Sequence, residues 1–289
     1  MPYPNLPLRP HLPLRPLQHR QNSGRLDPGQ GVHALAASRH ARIALGAVEV
    51  DAWLKGGLVR AALHEVFAAQ QADAAAAAGF ATLVALRAIA RPAGAQRLVW
   101  VRQDFLDSQV GQLHPPGLAA LGLNPALLVL VRAAGVREAL QAAGEAVRSG
   151  GLGAVLVELW GQSSLLDFTA SRRLSLAAEA TGTPVLLLRV AAHPGPSAAA
   201  PLASSAAASR WVVRALPSRV LPANAPGPPA FAAMLLRSRG QEAGITWHLD
   251  WDHERQCFQN YNGTTAQPRA LVPFSANRAA AGREWRTAG

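Results

Sequence analysis

LHEVFAAQQADAAAAAGFATLVALRAIA, residues 63–90, decides the fold. Leu63–Phe67 reads as a buried strand, the next few residues as a loop, and 73–90 as an alanine-rich helix with Asp73 as its N-cap. Strand, tight loop and helix are the plan of a phosphate-binding loop. There the motif G-x-x-x-x-G-K-[ST] follows the strand, its lysine reaches the β/γ-phosphates and its hydroxyl holds Mg²⁺. In this chain the first glycine slot falls on Ala68, the second on Asp73, the lysine slot on Ala74 and the hydroxyl slot on Ala75. The one lysine of the chain, Lys55, stands before the strand. A carboxylate at a helix start satisfies free N–H groups itself and repels a phosphate. Two readings follow, a decayed nucleotide site or an ordinary strand–loop–helix, and spacing does not separate them.

Outward from this stretch the alternation continues. Residues 97–101 (RLVWV), 127–131 (LLVLV), 154–159 (AVLVEL) and 184–190 (PVLLLRV) are short, continuous apolar runs. Such runs suit parallel strands covered on both faces. Between them, 136–151 is an amphipathic helix ending at a glycine pair, and 169–182 is a helix with Thr169 or Ser171 near its start and Gly182 at its end. Strands and helices alternating at this spacing imply a mainly parallel α/β sheet flanked by helices. After a low-complexity stretch at 191–209, the segments 210–216, 231–239 and 245–251 read as antiparallel strands extending one edge. The domain so defined spans 45–259, between a Pro/Arg-rich disordered leader (1–44) and a flexible basic tail (260–289). The leader repeats LPLRP at 6–10 and 12–16, a pattern of extended polyproline II that builds no core.

Composition bounds the function. Hydrophobic residues at 49% suffice for a substantial core, and the net charge is +11. Six arginines against one aspartate in 1–44 give +5, and four against one glutamate in 260–289 give +3, so the ends carry most of it. Basic ends suit nucleic acid or an acidic protein. A GC-rich genome would account for arginine over lysine, and less well for the sign of the charge. Cys257 is the one cysteine, which excludes an intramolecular disulfide. The leader lacks the apolar run of a secretory signal. No stretch reads as a membrane span, with 118–136 nearest but interrupted by Pro125 and Arg132. A cytoplasmic protein is expected.

Candidate site residues are few. Glu158 ends the fourth strand and Asp104 follows the second, and α/β sheets place ligands at such carboxyl ends. Without the lysine and hydroxyl, neither supports phosphoryl transfer. Arg172 and Arg173 near a helix start, with Arg210, Arg214, Arg237 and Arg239, could line a phosphate or DNA surface or serve only solubility. In HLDWDHE (248–254), alternation puts His248, Asp250 and Asp252 on one strand face, opposite Trp247, Leu249 and Trp251. We read this as the polar outer face of an edge strand rather than a metal site. Neither a G-x-S-x-G elbow nor a C-x-x-C pair occurs.

Several stretches in order carry a resemblance: LVWVRQD (98–104), LAALGLNPALLVLVRA (118–133), REALQAAGEAVRSGGLGAVLVEL (137–159), LDFTASRRLSLAAEATGTPVLLLR (166–189) and SRWVVRALPS (209–218). Over residues 45–258 they resemble the RecA core. RAALHEVF (60–67), TASRRLSLAAE (169–179) and LLRSRG followed by WHLDWD (235–240, 247–252) are similar to the ImuA family of RecA-like accessory proteins in bacterial translesion synthesis. On the RecA plan Asp104 falls at the catalytic glutamate, Glu158 at the Walker B aspartate, and 190–209 at the second DNA-binding loop. The resemblance implies a non-catalytic scaffold of SOS-induced mutagenesis, without a cofactor and nucleoid-associated during damage. The implied partners are an ImuB-like, catalytically inactive Y-family polymerase subunit, an error-prone relative of the replicative polymerase alpha subunit, and DNA. Tyr261, Leu271, Phe274 and Trp285 in the tail are the expected anchors for the partner. Other functions open to such a scaffold are a SulA-like inhibitor of cell division and a weak, unconventional ATPase.

Overall fold

The protein is described by a computed structural model covering residues 41–90, 97–192, 204–219, 221–225, 227–240 and 242–263. The chain opens with β1 (Arg42–Ile43), α1 (Val48–Trp53) and β2 (Leu58–Val59), followed by β3 (Leu63–Ala68) and α2 (Ala74–Ile89). Next come β4 (Leu98–Gln103), α3 (Leu106–Val110), α4 (Pro115–Ala120), β5 (Leu128–Ala133) and α5 (Val136–Ser149). Then follow β6 (Ala154–Trp160), α6 (Phe168–Thr181), β7 (Val185–Val190), β8 (Ser209–Leu216), β9 (Ala230–Ser238), β10 (Ile245–Asp252) and β11 (Cys257–Asn260). Nine strands form one mixed sheet in the order β11-β10-β9-β8-β3-β7-β6-β4-β5. From β5 across to β8 every pairing is parallel, and β8 to β11 pair antiparallel.

The apolar runs behave as buried parallel strands at the centre: every residue of β3, β4 and β7 is buried. Two expectations need correction. Residues 210–216 are not an antiparallel addition on both sides, because β8 runs parallel to β3, with His64 opposite Ser209, and only its far side pairs antiparallel with β9. β7 and β8 flank β3, so the chain crosses from one side of β3 to the other between 190 and 209. The run at 127–131 is not covered on both faces either. β5 is the sheet edge, with Val129 46% and Leu130 40% exposed. An apolar run shows that a strand is apolar, not that a neighbour exists.

Each face has its own core. On one, α2 packs with Trp100, Leu156, Leu186 and Trp211 beneath it, and Ile43, Leu45, Val50 and Leu54 in the same cluster. Burial on several sides explains why this helix is apolar almost all round. Gln71–Ile89 is in fact long and apolar enough for a membrane span (mean hydropathy 1.5), contrary to the sequence expectation, yet 67% of it is buried in the fold. Phe80 of α2 stands among Trp211, Phe231 and Phe258, with ring centroids at 5.9, 5.9 and 5.2 Å. Tilted and edge-on pairs of this kind add about 0.5–1.5 kcal/mol each beyond burial, and they tie the helix to the antiparallel extension.

The other face holds α5 and α6 over Val101, Val155, Val157 and Leu187. Thr169 and Ser171 do lie near the start of α6, which Asp167 caps. Asp167 Oδ1 accepts from the Ala170 N–H at 2.7 Å, and Gly182 closes the helix in the left-handed region at φ 71°. The fold also extends slightly past the expected limits, since β1 begins at Arg42 and β11 runs to Asn260.

Candidate functional site

The carboxyl ends of β3, β4 and β6 hold the residues the sequence singled out. Ala68 ends β3 and is buried. A 3-10 turn over Gln71–Asp73 leads into α2. Asp73 stands at the N-cap position of α2, but its side chain makes no capping bond, contrary to expectation. Its carboxylate is buried, and Oδ1 accepts from the Ala215 N–H on β8 at 2.9 Å. Ala69 N–H donates to Val213 O, also at 2.9 Å. The loop is therefore laced to the neighbouring strand from both ends. The Asp73 carboxylate is thus spent on β8 rather than on the first turn of its own helix. Ala74 is buried and Ala75 exposed. Neither methyl group carries phosphate chemistry.

Glu158 and Asp104 sit at the two ends of one chain of ion pairs. Strand register sets Arg102 on β4 beside Glu158 on β6 and Arg132 on β5. Arg102 Nε donates to Glu158 Oε2 at 2.8 Å, and Trp100 Nε1 donates to the same oxygen at 3.1 Å. Arg102 Nη1 reaches Asp107 Oδ1 at 2.6 Å, and its Nη2 donates to Gly111 O at 2.8 Å. Arg132 then bridges Asp107 Oδ2 at 2.7 Å and Asp104 Oδ1 at 2.9 Å. Charges alternate from Glu158, at 2% exposure, out to solvent at Asp104. Burial pushes the Glu158 carboxyl above its usual range, against the opposing pull of Arg102 and Trp100. Asp107 and Asp104 raise the already high pKa of Arg132.

The buried end of this chain of ion pairs is already engaged. A metal ion at Glu158 would have to displace a buried guanidinium and strand it without a counter-charge, a costly exchange. Glu158 lies two residues inside β6, not at its end as the sequence suggested. Asp104 does follow β4, with its Oδ1 engaged by Arg132. Among the described residues no group of three or more His, Cys, Asp or Glu side chains could hold a metal. Asp250 is buried, His248 exposed, and Asp252 Oδ1 caps the turn by accepting from Glu254 and Arg255 N–H, each at 2.9 Å. β10 is not the edge strand that the sequence suggested, since β11 pairs outside it.

The six arginines do not gather into one surface. Arg210 is buried, its Nε 2.7 Å from Glu65 Oε2, while Ser205 Oγ donates to Glu65 Oε1 at 2.7 Å. Removing a buried Glu65 from water demands such a partner, which rules out Arg210 as a surface contact. Arg173 lines a groove between α5 and α6, and Arg239 lines a cavity with His64 and Ser209. The Arg239 guanidinium donates to Ala206 O. Arg172, Arg214 and Arg237 are exposed. Tyr261, expected as a free anchor, belongs to the fold: its N–H donates to His248 O and its hydroxyl to Pro217 O at 2.7 Å. Leu271, Phe274 and Trp285, like the LPLRP repeats, lie outside the described residues.

Sequence reading missed the buried partners. Arg102 stands inside an apolar strand, and a charge in such a run needs a counter-charge on the adjacent strand, which is a usable signal. His64 gave none. Its Nε2 donates to Val59 O at 2.8 Å, because a carbonyl only accepts, and its Nδ1 therefore accepts from Ser209 Oγ at 2.8 Å. Trp211 Nε1 donates to the same hydroxyl at 2.9 Å. Burial lowers the His64 pKa from 6.5 to about 4.

The chain is 34% identical over 194 residues to Protein ImuA of Caulobacter vibrioides, in strains NA1000/CB15N and ATCC 19089/CB 15, covering 65% of this chain and 75% of each relative. This chain belongs to the ImuA family. No family model matches it. The crystal structure of the RadB recombinase superposes on this ImuA-family fold with a TM-score of 0.52, at 15% identity, over 76% of this chain and 99% of that one. The fold is RecA-like.

Proposed function

We propose that this ImuA-family chain is a catalytically silent accessory protein of damage-induced, error-prone translesion synthesis. It bridges an ImuB-like inactive polymerase subunit and an error-prone relative of the replicative polymerase alpha subunit, in the cytoplasm at the damaged nucleoid. Membership of the ImuA family supports the link to mutagenesis. The observation that carries the silent role is the ion-pair chain: both acidic positions of the RecA plan are spent on Arg102 and Arg132. The loop after β3 spends Asp73 on Ala215. A site whose charges are already paired has none left to organise Mg²⁺ and water around a phosphate. Contact with DNA, on this reading, is electrostatic and indifferent to sequence.

The test of the bridging role is affinity purification of the tagged chain from damaged cells. Recovery of both polymerase-related subunits is expected, with loss of one and retention of the other when the interface to that one is disrupted. Recovery of a cell-division protein instead would replace this reading with the SulA-like one.

A further inference from the structure

A groove of about 550 Å³ runs between α5 and α6, on the sheet face opposite α2. Arg137, Leu140, Gly144 and Arg148 form its α5 wall, at the one-turn spacing that puts residues on one helix face. Leu165, Arg173 and Leu174 supply the other wall from α6 and the turn before it. From Arg137 to Arg148 the wall is about 16 Å long, at roughly 1.5 Å per residue, the reach of about five extended residues. Gly144 leaves room for the Arg148 guanidinium to lie back over the helix, since a Cβ there would stand 3.1 Å from Nη1 and push it aside by a few tenths of an ångström.

The chemistry of the groove is unbalanced. Arg137, Arg148 and Arg173 make no ion pair among the described residues. Asp167 is the acidic lining residue, and its Oδ1 is occupied by the Ala170 N–H. Leu165, on the groove wall, is 41% exposed, and α6 carries two more exposed apolar side chains, Phe168 at 46% and Leu176 at 50%. Cations that face a partly apolar cleft without counter-charges fit an occupant bearing both carboxylates and an apolar anchor. The chain cannot supply it. Residues 1–40 and 264–289 are both net basic, and 193–203 contain no acidic residue. A second copy seated groove to groove would set arginine against arginine. Nucleic acid fits less well, because the lining offers no aromatic ring for a base to stack on.

We propose that the α5–α6 groove is a docking site for an acidic segment of a partner protein. Its carboxylates meet Arg137, Arg148 and Arg173, and an apolar side chain seats against Leu140 and Leu174. The inference rests on the accessory reading, since it names a surface through which such a protein would act.

The test selects short random peptides displayed on phage against the full-length chain, then measures the enriched peptides by fluorescence anisotropy. Two variants are compared: Arg137→Ala/Arg148→Ala/Arg173→Ala in the groove, and Arg97→Ala/Arg214→Ala/Arg237→Ala, which removes the same charge from exposed positions elsewhere. All six side chains are exposed, so both variants should fold, which thermal unfolding checks. Enrichment of Asp/Glu flanking Leu or Phe is expected, with affinity falling about tenfold or more in the groove variant and less than about twofold in the control. Leu165→Asp should also weaken binding. Equal losses in the two variants, or enrichment without acidic residues, would overturn the proposal. So would a single-stranded oligonucleotide whose binding falls selectively in the groove variant, since the groove would then be a nucleic-acid site. A negative result here leaves the co-purification test of the accessory role standing.

Discussion

Replacing Arg102 by methionine should destabilise the protein severely, and the structure gives the size of the loss. The variant keeps most of the side-chain volume and removes the charge. Glu158 Oε2 then retains only the Trp100 N–H, at 2% exposure of the residue. Removing one member of a buried ion pair costs about 3–5 kcal/mol, about a fifth or more of the roughly 5–15 kcal/mol by which domains are stable. The Asp107 and Gly111 contacts of Arg102 go as well, which leaves Arg132 to hold the 104–111 segment through Asp104 and Asp107. The carboxyl has one escape, which is to bind a proton. Its pKa is already raised by burial, and Arg102 is the first-ranked opposing influence, so the variant raises it further. In the window between the ordinary carboxylate pKa and that raised value, the folded state binds more protons than the unfolded state. Stability therefore falls as pH rises through the window, and the deficit of the variant should shrink toward acid. Equilibrium urea unfolding followed by tryptophan fluorescence, at several pH values, measures this. The double variant Arg102→Met/Glu158→Leu should recover most of the loss, because an apolar pair of similar volume removes the stranded charge. A loss under about 1 kcal/mol for Arg102→Met, independent of pH, would refute the reasoning.

Two other perturbations follow from the same structure. His64 is buried neutral with its pKa lowered to about 4, so the unfolded state takes up the proton first as pH falls from 6.5; stability should drop across that window by up to about 3 kcal/mol, at 1.36 kcal/mol per pKa unit, and His64→Asn should flatten that part of the pH profile of the denaturation midpoint. Asp73→Ala deletes the acceptor of the Ala215 N–H; it should cost about 1–3 kcal/mol and speed hydrogen exchange at Ala215, whereas unchanged exchange there would mean that the carboxylate does not hold the loop.

The fold was legible because its signals are local and repeated. β3, β4, β6 and β7 are apolar runs flanked by helices of the right length, and Gly182 stops α6 where a left-handed residue is needed. What failed were statements about neighbours. LLVLV at 127–131 has the composition of a central strand and the position of an edge, and nothing within those five residues distinguishes the two. Arg210 looked like surface charge until Glu65, distant in sequence, was found beside it. The site was legible in outline, since Asp73, Asp104 and Glu158 do lie around the strand ends. Their engagement was not, because Arg102 and Arg132 become their partners only through the registers of β4, β5 and β6.

The central claim is that the acidic positions of this RecA-like sheet are structural groups in a protein that acts by contact. ATP turnover by the purified full-length chain with Mg²⁺, beside its Glu158→Gln variant, tests that most directly. The account predicts no release of phosphate above the buffer blank from either protein. Turnover by the unmodified chain that is lost in the Glu158→Gln variant would contradict it.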